Sequence, residues 1–319
     1  MLSGRRLWVG AFVAWLFVPA VPLTAQAPGP DPGPDRAPGG PGWGAVPAEL
    51  LESARASEFW LPLGSVVLPG LGQYTHGALL AGAGHTAAAG FGFWLGTRGD
   101  PQVDLPRRWQ DQMASQGWHL AATSGFVSAW DSFRRTVEGG RSGGRYAFYR
   151  PDEGLGDLLT APADPDFLGR WTTWLSLAQS ALVAGYVIAD RDESREYEPF
   201  RRHDPVYVSS LSLNAAVGEE AAFRGWLLPL MTEKLGGRFW LANTLQALIF
   251  GSLHPDAGPY ALIIGAWGGY AGWQTRRNEW SLREAVFQHF WHNVLAGTAT
   301  LLTDERAVVS LVSLRVPAP

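Results

Sequence analysis

The chain has 319 residues, 46% of them apolar and only 17% charged, with a net charge of -4 and no cysteine. That length allows one large domain or two modest ones, and the charged share lies below the roughly 25% usual for soluble domains. The charge excludes the basic footprint of a nucleic-acid binder, and the missing cysteines exclude a disulfide framework and a thiolate nucleophile or ligand. Glycine (39) and tryptophan (16) are abundant, as where helices pack closely in lipid and aromatic rings anchor at interfaces. The mean hydropathy of -0.03 requires polar segments between the apolar ones.

Residues 1–27 read as a signal peptide or signal anchor. Arg5 and Arg6 precede an apolar run from Leu7 to Leu23, and Ala25-Gln26-Ala27 has cleavage-type spacing. Pro28 disfavours cutting directly after Ala27, so both forms stay open. Residues 28–47 are rich in proline and glycine and predict a linker. Residues 57–97 are apolar, with breaks at Pro69-Gly70 and from Gln73 to Gly77, which predicts a membrane helical hairpin of unknown role. Leu68-Pro-Gly-Leu-Gly-Gln-Tyr74 resembles a PGxGQ(Y/F) signature of small bacterial membrane modules, and His76 and His85 beside it read as packing residues.

Residues 98–166 carry most of the dispersed charge and predict a polar extramembrane segment. Within it, Ala114–Arg135 has the spacing of an amphipathic helix with Trp118, Phe126 and Trp130 on one side. Residues 167–189 predict a transmembrane helix. Arginines occur in several loops, so the positive-inside rule does not fix orientation.

Residues 204–303 are more regular. Asp204 is placed to cap a helix with Pro205 in its first turn. That helix is expected to kink near Pro229 and stop at Gly236-Gly237. A second runs from Phe239 to about Leu253, before Pro255. A third starts at Pro259 and ends near Gln274 to Asn278. The fourth opens on Ser281-Leu-Arg-Glu284, the pattern of a capping box, and continues to Leu302. Its length of about 33 Å is enough to cross a hydrocarbon core. The expected fold class is therefore all-α, a polytopic transmembrane helical bundle.

Ionisable residues in these apolar helices form three clusters. The first is Glu219-Glu220-Ala-Ala-Phe-Arg224. A carboxylate pair with no task is costly in an apolar helix. Glu220 and Arg224 are four apart and face each other as an ion pair, whereas Glu219 points about 100° away and keeps its carboxylate free. Glu219 is thus the better general base, and Glu220–Arg224 a structural clamp. The second cluster is Phe250-Gly-Ser-Leu-His254. The third is His289-Phe-Trp-His292-Asn293, in which His289 and Asn293 share a face and His292 leans off it.

Each motif alone is weak, but their order on three separate apolar helices is specific. EEAAFRGWLLP at 219–229, Phe250 to His254, and WSLREAVFQHFWHN at 280–293 resemble the three motifs of the CPBP family, the CAAX-protease and bacteriocin-processing intramembrane peptidases. The resemblance covers about residues 205 to 303. It implies an intramembrane endopeptidase in which Glu219 and His254 activate a water. His289 and Asn293 would then donate to the oxyanion, with Glu220, Arg224 and Phe250 in support. No cofactor is required on this reading. The rival chemistry is a zinc site on Glu219, His254 and His289 with a fourth position for water, although no HExxH is present. The rival function class is a catalytically silent membrane scaffold or immunity-type protein of the same fold. The implied partners are a membrane-embedded or lipid-anchored peptide or protein substrate and the lipid bilayer, with no nucleic acid, in a bacterial inner membrane.

Overall fold

The structure, a computed structural model, describes residues 57–98, 107–138, 144–149, 153–189, 201–254 and 261–303. All of them lie in a unit spanning Val46–Pro319. The expected targeting segment (1–27) and linker (28–47) lie outside the described residues. Every regular element among the described residues is helical, as the expected all-α class requires. The first three helices are α1 (Trp60–Val67), α2 (Leu71–Thr75) and α3 (Leu79–Thr97). They are followed by α4 (Arg107–Glu138), α5 (Leu155–Thr160), two short 3-10 turns (Ala161–Ala163 and Pro165–Gly169) and α6 (Trp171–Ala189). The C-terminal part contains α7 (Asp204–Glu220), a π-helical segment (Ala221–Leu227) and α8 (Leu228–Lys234). The last three are α9 (Phe239–Ser252), α10 (Ala261–Arg277) and α11 (Arg283–Thr303).

The Pro-Gly-Leu-Gly-Gln stretch is a buried latch onto α4. Gly70 turns the chain with φ +102°, and its N–H donates to Ser128 Oγ at 2.8 Å. A Cβ on Gly72 would sit 2.1 Å from Ser132 Oγ, so only glycine fits. The fully buried Gln73 donates to Ser128 O at 3.0 Å and to Asp131 Oδ2 at 2.9 Å, and accepts from Ser128 Oγ at 2.8 Å. These bonds satisfy every polar atom of the amide, as burial demands.

Helix α4 is longer than the expected Ala114–Arg135 segment and is central, packed by α1, α3, α7 and the π segment. Its aromatics do not share one side. Trp118 lies against Gly96 and Phe93 of α3, whereas Trp130 lies against Gly225. A helix covered on several sides has no single apolar face to show in the sequence.

The expected span 167–189 also divides differently. Phe167 sits in a 3-10 turn and α6 starts at Trp171. Thr172, Thr173, Ser176 and Ser180 of α6 point inward and are buried, while Trp171, Trp174, Leu175, Leu182 and Ile188 are exposed. Helices α9 and α10 follow suit, with Asn243, Gln246, Gln274 and Thr275 buried and Trp240, Leu248, Leu262 and Ile263 exposed. Among the described residues no helix is long and apolar enough to cross a membrane. The polar inward faces lower the average along each helix even where the outward face is apolar.

Three local expectations are corrected in the C-terminal part. Asp204 is the first helical residue rather than the cap, and its carboxylate accepts from Arg201 N–H at 2.7 Å and from Gln112 Nε2 at 2.9 Å. The expected kink near Pro229 is a π segment. The Leu228 N–H bonds the Phe223 carbonyl five residues back, and Pro229 lacks the N–H that would return the helix to α register on the Gly225 carbonyl. The capping box at Ser281 to Glu284 does not form. Helix α11 begins at Arg283, and its end is capped from afar by Glu153, which accepts from Leu282 N–H at 2.6 Å and Ser281 Oγ at 2.8 Å. The stop at Gly236-Gly237 is as expected: both have positive φ, and their N–H groups close on Glu233 O and Thr232 O.

Candidate active site

The C-terminal end of α7 and the π segment carry the first cluster, α9 ends in the second, and α11 presents the third. Glu219, Glu220, Arg224, His289 and Asn293 are each 5% exposed or less, and His254 is half-buried. π segments inside α-helices mark functional sites often, and this one begins directly after the two glutamates.

Glu220 is the anchor. Its Oε1 accepts from Arg224 Nη1 at 3.1 Å and from His289 Nδ1 at 2.8 Å, which joins α7 to α11. Arg224 also donates to the Gly268 carbonyl of α10 at 3.0 Å. Its guanidinium lies 4.3 Å above the Phe250 ring, a cation–π contact in a dry setting. Phe250 is the common floor, 5.0 Å from both the Phe223 and His254 rings and 6.4 Å from His289.

Glu219 is different. Both its carboxylate oxygens are buried without a hydrogen-bond partner among the described residues. Its nearest basic atom is His289 Nε2, 3.7 Å from Oε2. His254 gives its Nδ1 to the Phe250 carbonyl at 2.8 Å, so Nε2 is the ring atom left for chemistry. His289 is likewise held through Nδ1, by Glu220, and offers Nε2. The third polar group is Asn293, whose buried Nδ2 has no partner among the described residues. An unpaired buried donor and an unpaired buried carboxylate are each costly unless a substrate or water completes them.

His292 faces elsewhere. It bonds Ser180 Oγ of α6 at 2.8 Å through Nδ1 and stacks on Trp267 at 6.1 Å. Among the described residues no group of three or more His, Asp or Glu side chains is placed to hold a metal ion. Glu219, His254 and His289 therefore do not form such a group.

Two contributors escaped the sequence reading. Trp267 of α10 lies edge-on to His289 at 4.7 Å and is also stacked with His292 at 6.1 Å. Glu284, read from the sequence as half of a capping box, turns inward instead. It accepts from Arg170 at 2.6 Å, Asn278 at 2.8 Å, Gln288 at 3.1 Å and Gln274 at 3.2 Å, and also from Thr172. This buried carboxylate locks α6, α10 and α11 together one turn before His289. An isolated acid one turn into an apolar helix was the only available signal.

Arg224→Ala removes the cation shared by Glu220 and the Gly268 carbonyl, leaving a fully buried carboxylate short of one partner. The expected loss of stability is roughly 3–5 kcal/mol, read by denaturant or thermal unfolding. Replacing Glu220 and Arg224 together by Gln and Leu recovers much of it. A double variant no more stable than the single shows that the two do not act as a pair.

Residues 202–295 match the family model described as type II CAAX prenyl endopeptidase Rce1-like. No curated protein and no solved structure matches the chain. The matched range contains every residue of the three clusters and excludes α1 to α6. Residues 202–295 thus form a domain similar to the CPBP, or CAAX-protease-like, family of peptidases.

Proposed function

We propose that the chain is an integral-membrane endopeptidase that hydrolyses a peptide bond of a membrane-embedded or lipid-anchored substrate by glutamate-activated water. The observation that carries this reading is Glu219, a buried carboxylate with both oxygens unpartnered among the described residues, facing His289 Nε2 at 3.7 Å. Such a group is the acceptor a hydrolytic water needs. Glu219 takes a proton from water while the water oxygen bonds the scissile carbonyl carbon. The oxyanion that forms meets Asn293 Nδ2, a donor already buried and waiting, and His289 Nε2, which donates there when the ring carries both protons, since Nδ1–H is held by Glu220. Collapse breaks the C–N bond, and the proton held by Glu219 passes to the leaving amine with His254 at the rim of the site. Glu220, Arg224 and Phe250 hold the geometry.

The membrane setting is supported by the inside-out distribution of side chains. Exposed Trp171, Trp174, Leu182, Trp240, Leu248, Leu262 and Ile263 form apolar outer faces on α6, α9 and α10 over buried serine, threonine, glutamine and glutamate. Apolar surface on that scale is unusual in water and ordinary against lipid, and a bacterial inner membrane is its natural site.

The test compares the membrane-protein termini of cells expressing wild type and Glu219→Gln. New termini confined to wild type support the peptidase, and identical sets favour a silent scaffold of the same fold. The cofactor question has its own measurement: activity is expected to persist after chelation and buffer exchange. Activity that disappears and returns on adding zinc restores the three-ligand reading.

A further inference from the structure

Two hydrogen-bond relays leave one face of α4, a helix outside the matched domain, and end on the two helices that carry the candidate site. In the first, Trp130 Nε1 donates to Tyr149 Oη at 3.2 Å, and Tyr149 Oη donates to the Gly225 carbonyl at 2.8 Å. In the second, Arg134, one turn after Trp130, donates to the Glu153 carbonyl, and the Glu153 carboxylate receives Leu282 N–H and Ser281 Oγ. The first relay ends in the π segment after Glu219 and Glu220. The second ends at the start of α11, ahead of His289 and Asn293.

Each end point is a backbone group that its own helix cannot satisfy. In an α-helix the Gly225 carbonyl accepts from residue 229, which is proline and has no N–H. Burial holds the Tyr149 phenol well above its ordinary range, so it stays a donor. Leu282 N–H is one of the orphan donors of a helix N-terminus, and no capping side chain of its own segment serves it. The two end points also touch. A Cβ on Gly225 would lie 2.4 Å from Trp130 Cδ1 and 3.0 Å from Leu282 Cδ1, so the three elements meet at this glycine. The surrounding backbone is strained in support: Tyr146, Glu279 and Trp280 all have positive φ. The rings of Tyr146, Phe148, Trp280 and Tyr149 form one cluster, in which Tyr149 and Trp280 are 6.0 Å apart. Non-glycine residues keep such conformations only where packing overdetermines them.

We propose that Tyr149 and Glu153 are positioning residues. Tyr149 fixes the π register that aims Glu219 and Glu220, and Glu153 fixes the start of α11 that aims His289 and Asn293. The reading that Glu219, His289 and Asn293 are catalytic, with Glu220 holding them in place, supplies the purpose, but the relays are testable without any substrate.

The experiment is hydrogen–deuterium exchange on the purified full chain in detergent, with His289 followed by proton NMR in protein labelled with 15N-histidine. Tyr149→Phe keeps the ring and deletes the donor. Exchange across residues 221–228 is expected to rise about five- to tenfold, the equivalent of one lost hydrogen bond, with α9 and α10 unchanged. The His289 Nδ1 proton, bonded to Glu220, shifts or broadens. Adding Pro229→Ala supplies the missing backbone N–H to Gly225, so the double variant returns both signals toward wild type. Glu153→Ala raises exchange at residues 282–286 and leaves 221–228 near wild type. Unchanged exchange in Tyr149→Phe overturns the proposal, as does a rise spread evenly over all helices, or a loss that Pro229→Ala does not reverse. Relays that behave as expected in a chain that produces no new termini leave this proposal standing and remove the peptidase reading.

Discussion

Glu219→Gln is expected to lower turnover by about 10²–10⁴-fold, the contribution of a positioned general base, while leaving the fold intact. The amide keeps the shape of the side chain and loses only its ability to take a proton from water. Stability provides the contrast. Neither oxygen of Glu219 has a hydrogen-bond partner among the described residues, and the His289 ring stands 3.7 Å away, so ionising it in the folded state forfeits hydration that no hydrogen bond replaces. The substituted amide carries no charge to desolvate, and the variant is expected to unfold at a temperature no lower than wild type. Inactivity with undiminished stability is the mark of a residue kept for chemistry at the expense of the fold. The same exchange at Glu220 behaves oppositely, because that carboxylate accepts from Arg224 and His289 and its loss releases both. The measurement is a thermal unfolding curve beside a cleavage assay on a substrate found from wild-type-specific termini. A fully active Glu219→Gln enzyme would sink the assignment, and a strongly destabilised one would make Glu219 structural.

Much of the site was legible because it is local. Glu220 and Arg224 are one turn apart, so helical spacing alone pairs them, and the same spacing releases Glu219 and places His289 with Asn293. The boundary at Gly236-Gly237 was legible for a similar reason, since positive φ there needs glycine. What the sequence concealed is long-range. Tyr149 and Gly225 are 76 residues apart, and Glu153 and Leu282 are 129 apart. No periodicity links a tyrosine to the carbonyl that a proline four residues on has left unpaired. Glu284 misled for a related reason. Ser281 and Glu284 have capping-box spacing, but Arg170, Gln274, Asn278 and Gln288 outcompete the local backbone for that carboxylate. The polar inner face of α4 was not legible either, because serine and threonine ordinarily mark surface, yet Ser128, Ser132 and Thr136 are fully buried.

The third cluster separates three adjacent polar residues by what they touch. Asn293→Ala is expected to cost about 10²–10³-fold in turnover, the usual effect of deleting one oxyanion donor. Its Nδ2 is buried and unpartnered among the described residues, so no ground-state bond is lost and binding of substrate should change little. His289→Ala falls at least as far, because the same ring faces Glu219 through Nε2 and anchors Glu220 through Nδ1. It also loses stability, which Asn293→Ala does not. His292→Ala breaks one bond to Ser180 and a stack on Trp267. It should cost about tenfold or less in turnover, the range of a modest hydrogen bond and its packing. Combining His289→Ala with Asn293→Ala costs less than the product of the singles, since groups serving one oxyanion do not add. The decisive comparison is kcat for the three single variants beside their melting temperatures. If His292→Ala matches His289→Ala in kcat while its melting temperature holds, His292 belongs to the reacting face and the oxyanion assignment on α11 fails.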